Sequence, residues 1–226
     1  MSVPTSDRES GNRQGFLSKV ADRSNLPTSE HLIAATGDPA DGVEYAQDLS
    51  DPVAAFTAGA EGHGTKVYLV RNDADHLAAV LDIASTFDIE EFSISDEPAS
   101  GEFGSLLEQA GARVRRISDP RRLTQHDTVV TAAAAGIALT GSIALASGAL
   151  GSRLPTTLPK RHIALLAATA IVPTPREVYQ GFAEGRWPGS ALVIATGPSR
   201  SGDIEMEITL GVHGPGEVIV VVDARP

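Results

Sequence analysis

Beyond residue 50 the spacing of apolar positions switches repeatedly between helical and extended periods. Residues 53–60 carry a short helical stripe, and Gly62-His63-Gly64 reads as the turn that follows it. Lys66-Val67-Tyr68-Leu69-Val70 is then a strand. Asp73 or Asp75 can cap a helix whose buried face is Leu77, Val80, Leu81 and Ala84. Residues 92–95 predict a second strand, residues 103–110 a helix closed by Gly111, and residues 113–117 a third strand. This succession of strands and helices implies an α/β fold with a parallel sheet.

The second half reads differently. Residues 129–139 and 143–147 are two apolar runs joined at Thr140-Gly141-Ser142, the pattern of an antiparallel hairpin. Residues 161–167 predict a strand, and residues 175–183 a short helix with Pro175 at its start. The last unit is a strand at 191–195, a loop through Thr196-Gly197-Pro198-Ser199-Arg200, and a helix over about 202–210 capped by Gly211. His213-Gly214-Pro215 makes a rigid turn into a closing strand at 217–222. Before residue 50 the pattern weakens. Phe16, Leu17 and Val20 form one helical stripe that ends near Pro27, and residues 28–50 are a polar, acidic surface segment. The expected division is therefore 1–50 as helix and acidic segment, and 51–226 as the folded domain.

Charge and composition narrow the partners. A net charge of −11 repels a phosphodiester backbone, so nucleic acid is not expected. Arg113, Arg115, Arg116, Arg121 and Arg122 are the exception, read as a solvated face near a strand end or a docking patch for an acidic partner. The chain has no cysteine, which excludes thiolate chemistry and cysteine-held iron–sulfur clusters within it. No apolar run reaches the roughly 20 residues that span a bilayer, and the N-terminus lacks a signal-peptide pattern. A cytoplasmic location is the expectation.

A strand, a glycine-containing loop and a helix start together predict an anion pocket at Gly197, Pro198, Ser199 and Arg200. Loop amides, the helix dipole and the Arg200 guanidinium would converge there on a small anionic metabolite or a phosphate-bearing cofactor. Asp203 and Glu205 either take part in chemistry or stabilise the dipole of that first turn. His213, beside Gly214, is either a general acid or base or a backbone brace. Thr140 and Ser142 can donate hydroxyls to a ligand or simply shape their turn. His162 is read as structural, and Arg153 as a surface-loop residue. His31, His63, His76 and His126 lack metal-ligand spacing, so no metal is expected.

Three blocks taken in order resemble the LUD-domain family, in particular its lactate-utilisation protein C group. They are Thr140-Gly141-Ser142, Pro159-Lys160-Arg161-His162-Ile163, and the long stretch from Thr196-Gly197-Pro198-Ser199-Arg200 to His213-Gly214-Pro215. The resemblance covers about residues 53–223 and implies a three-layer α/β/α fold, similar to glucosamine-6-phosphate deaminase, ribose-5-phosphate isomerase and CoA transferases. It further implies a role in oxidising L-lactate to pyruvate beside iron–sulfur partner proteins, with no cofactor in this chain. Many relatives carry an acidic residue just before the Thr-Gly pair, where this sequence has Leu139. That departure favours an accessory, ligand-binding component over an independent enzyme, unless Asp203, Glu205 or His213 supplies the chemistry. The alternatives are an enzyme acting on a sugar phosphate or CoA ester, or a scaffold for the iron–sulfur partners.

Overall fold

The computed structural model describes residues 48–87, 89–117, 127–147, 157–187, 189–202, 208–210 and 214–226. Phe16, Leu17, Val20, Arg121, Arg122, Arg153, Asp203, Glu205 and His213 lie outside them. Helix α1 (Pro52–Gly62) begins at Asp51, whose carboxylate accepts the amides of Val53 and Ala54, and leads into β1 (Lys66–Val70). Then come α2 (Asp73–Thr86), β2 (Glu91–Ile94), α3 (Pro98–Gln109), β3 (Arg113–Arg116) and β4 (Thr128–Ala132). The second half holds β5 (Ala135–Ile137), β6 (Ser142–Ala146), β7 (Arg161–Ala167), β8 (Ile171–Val172) and α4 (Pro175–Ala183). The last strands are β9 (Leu192–Ala195), β10 (Arg200–Gly202), β11 (Ile208–Leu210) and β12 (Glu217–Asp223).

Six strands form a wholly parallel sheet in the order β1-β12-β7-β4-β2-β3. Its central strands β7 and β12 are apolar on both faces, as a sheet covered on two sides requires. Ile163, Leu165, Ile219 and Val221 face α2 and α3. Ala164, Leu166, Val220 and Val222 face α1 and a second sheet of order β8-β5-β6-β9. Helix α4 covers the far side of that second sheet, where Val178 packs with Ala135, Ile137 and Ala144.

Several expectations are corrected. The run 129–139 is not one hairpin arm. It breaks at Ala133-Ala134, so that β4 joins the parallel sheet and β5 alone pairs with β6. Strand β9 does not enter the parallel sheet either; it pairs antiparallel with β6. The helix expected over about 202–210 is not found among the described residues, where β10 and β11 pair antiparallel instead. The sequence carries the reason: Ile204, Met206, Ile208 and Leu210 alternate with polar residues at the period of a strand. Gly211, expected to cap that helix, lies outside the described residues. Helix α2 is capped by Asn72 rather than Asp73 or Asp75. It buries His76, Ala79, Val80 and Ile83, while Leu77 and Leu81 stay exposed. Arg113 and Arg115 form a solvated strand face, ion-paired with Glu90 and Glu91.

The rotated face of α2 gives a direct test. Ile83→Ala is expected to cost about 2–5 kcal/mol in urea unfolding, and Leu81→Ser less than about 0.5 kcal/mol. Equal costs would mean that the face lies one residue further along.

Candidate functional site

The Thr140 turn and the 196–200 loop, which are 54 residues apart at Ser142 and Thr196, meet in space. Pairing of β6 with β9 brings them together: Ile143 lies opposite Ala195, so the residues just outside that pair, Ser142 and Thr196, come into reach. Thr140 Oγ1 lies 2.6 Å from Ser142 Oγ, which lies 2.7 Å from Thr196 Oγ1. Ser142 is buried, and Thr196 opens to solvent. Three hydroxyls joined by two mutual bonds keep one proton to spare. Because the row can reverse its direction, that proton can be presented at Thr196.

The backbone around this row is fixed by glycine. Gly141 has φ +63°, and a Cβ there would sit 1.9 Å from Ala60 N in α1. Its own amide donates to Ile137 O at 2.9 Å. Gly197 has φ +70°, and a Cβ on it would meet His63 O at 2.6 Å. His63 O also accepts from Arg200 Nη2 at 2.9 Å, and the His63 ring bonds Gly59 O through Nδ1. Ser199 N donates to Pro215 O at 2.8 Å, which ties the loop to the chain leading into β12.

These bonds change the expected anion pocket. Thr140, Gly141, Ser142, Gly197, Pro198, Ser199 and Arg200 do share one neighbourhood beside the end of α1. The cationic cradle is not built as expected, because Ser199 N is engaged, Arg200 braces His63 and, among the described residues, no helix begins after the loop. What remains is a hydroxyl row beside an exposed arginine. Gly214 lies next to Pro215 in the segment that accepts Ser199 N. Leu139, half-buried, packs against the apolar cluster under α4.

His162 proves structural in the described core. It is buried, its Nε2 lies 2.9 Å from Thr131 Oγ1, and burial lowers its pKa from 6.5 to about 4. Sequence reasoning missed a different group at the carboxyl ends of β1 and β12: His76, Asp73, Glu102, Asp223 and Arg225. Arg225 donates to Asp73, Glu102 and Asp223 at 2.8–3.0 Å. Only the position of Asp223 and Arg225 at the end of an apolar run hinted at it.

A sequence profile described as the LUD domain matches residues 53–222. The chain belongs to the LUD domain family. This LUD domain is 31% identical over 149 residues to lactate utilization protein C of Halalkalibacterium halodurans, covering 59% of the chain and 65% of that relative. It is 32% identical over 99 residues to lactate utilization protein C of Bacillus subtilis, covering 42% of the chain and 41% of that protein. The chain thus spans less than two thirds of the length of these relatives. The crystal structure of a DUF162 family protein from Deinococcus radiodurans shares the fold, with a TM-score of 0.56 and 24% identity. That likeness covers 78% of this LUD domain and 99% of the solved chain. No helix among the described residues is long and apolar enough to cross a membrane.

Two outcomes follow from the geometry. Gly141→Ala combines positive φ with a backbone overlap and is expected to cost more than about 3 kcal/mol, read by denaturant unfolding. His162 stays neutral in the folded protein while the unfolded chain protonates near pH 6.5. Stability present above that pH is therefore lost as pH falls toward 4, by about 3 kcal/mol. His162→Gln should remove that part of the decline, and an imidazole NMR titration should place the His162 midpoint near 4.

Proposed function

We propose that this LUD domain is the cluster-free component of an L-lactate utilisation system. In this reading it binds a small hydroxy- or ketocarboxylate at the Thr140–Ser142–Thr196 hydroxyl row. Family membership and the names of its relatives support the system. The hydroxyl row supports the place: it offers one free proton to a carboxylate oxygen, and the Arg200 guanidinium stands on the same loop. A lactate hydroxyl could in turn donate to Thr196, so a single hydroxyl row can serve both ends of such a ligand.

The chemistry available to the chain fits an accessory role. L-lactate oxidation moves two electrons and two protons to an acceptor, and a chain without cysteine holds no cysteine-ligated cluster to take them. Iron–sulfur partner proteins would carry the electrons, and this component would present or sense the metabolite. At position 139 a leucine directed to an apolar cluster supplies neither acid nor base.

Thermal unfolding in the presence of L-lactate, pyruvate and chloride tests the reading. A carboxylate at one hundred times its dissociation constant is expected to stabilise the fold by about 2.7 kcal/mol. Thr196→Val, at an exposed position, should abolish that gain while leaving the ligand-free stability nearly unchanged. No gain with either carboxylate, or an equal gain in Thr196→Val, would overturn the assignment of this site.

A further inference from the structure

The hydroxyl row lies by the amino ends of β1 and β12, since its loops hold His63 and Pro215 just before those strands. At the carboxyl ends of the same strands lies a separate cleft of about 630 Å³, lined by Arg71, Asn72, Asp73, Glu102, Asp223 and Arg225. Open parallel sheets bind ligands outside their carboxyl ends. Here Val70 and Ala167 flank Asp223 in register, so β1, β12 and β7 end together beneath the cleft. A narrower recess continues inward past Glu102, Asp223 and Arg225 to His76.

The acceptors in this cleft outnumber the donors. Arg225 spends its Nε, both protons of Nη1 and one of Nη2 on Asp73, Glu102 and Asp223. Its hydrogen bonds, with its charge behind them, hold the carboxyls of Glu102 and Asp223 below their ordinary range, which favours the ionised form of both. Asp73 Oδ2 and Glu102 Oε2 have no bond among the described residues. His76 is 6% exposed, and its Nδ1 is buried without a hydrogen-bond partner, 3.5 Å from Glu102 Oε1. Burial, followed by the nearby Arg225 charge, lowers the His76 pKa and keeps the ring neutral. With the ring proton on Nε2, His76 Nδ1 and the Glu102 oxygen it faces are both acceptors, and one donor placed between them would serve both. A hydroxyl brings one proton, an ammonium three and a compensating charge. Two of the three carboxylate charges remain unbalanced by Arg225. No group of three or more His, Asp or Glu among the described residues is arranged to hold a metal ion.

We propose that this cleft is a second ligand site, for a small molecule carrying a primary ammonium group received by His76 Nδ1, Glu102 and Asp73. The site is independent of the lactate reading, being at the opposite edge of the sheet.

The test is an NMR titration of the His76 ring with putrescine, using L-lactate and MgCl2 as comparisons. Putrescine is expected to shift the His76 resonances saturably, with affinity reduced about tenfold or more in Glu102→Gln and in Asp73→Asn. Asp73 is 94% exposed at its side chain, so its variant keeps the test open should Glu102→Gln perturb the fold. No His76 shift with putrescine, an undiminished shift in Asp73→Asn, or a shift with MgCl2 in place of putrescine would overturn the proposal.

Discussion

Helix α1 and the turn between β5 and β6 approach so closely that neither backbone leaves room for a methyl group. A Cβ on Gly59 would lie 2.8 Å from Gly141 N, and one on Gly141 would strike Ala60 N. This contact sets how near the second sheet can come to α1, and hence to the parallel sheet on which α1 lies. It also fixes the turn that aims Thr140 and Ser142 at Thr196. Apolar burial supplies the attraction, through Phe56, Ile143, Leu166 and Val222 in one cluster. The two glycines decide where that attraction stops.

Much of the frame was legible because period and element agree. Strands at 66–70 and 161–167 and the helix at 175–183 stand where the apolar spacing put them. The Thr174–Glu177 capping box marks that helix start unambiguously. Failures came where two patterns overlap in one segment. On α2, His76-Ala79-Val80-Ile83 and Leu77-Val80-Leu81-Ala84 are both helical stripes, and only packing against Phe92 and Phe103 selects the first. Residues 204–210 were read through the acidic pair Asp203 and Glu205 as a helix start, although the alternation there has the period of a strand. In residues 129–139, alanines on both sides of the break hide where one sheet hands over to the other.

The site was partly legible for the same reason. Glycines at 141 and 197 flagged tight backbone, and the structure gives both positive φ. The hydroxyl row was not legible, since its Ser142–Thr196 bond depends on the β6–β9 register. Nor was the carboxyl-edge cluster, whose members come from α2, α3, the last residue of β12 and the chain just after it. Two chemically distinct neighbourhoods thus occupy opposite ends of one set of strands. One is built of hydroxyls and spent amides beside a single arginine; the other is ionic and crowded with carboxylates around one guanidinium.

Strand β3 ends the sheet on the side away from β1, and its sequence Arg113-Val114-Arg115-Arg116 is largely exposed. An open strand edge is a template on which a second copy can add itself. Two such edges brought together would press rows of guanidinium groups against each other, and Glu90 and Glu91 answer only part of that charge. The arginines thereby act as a bumper for a molecule whose overall charge is acidic, discouraging growth of the sheet from one chain into the next.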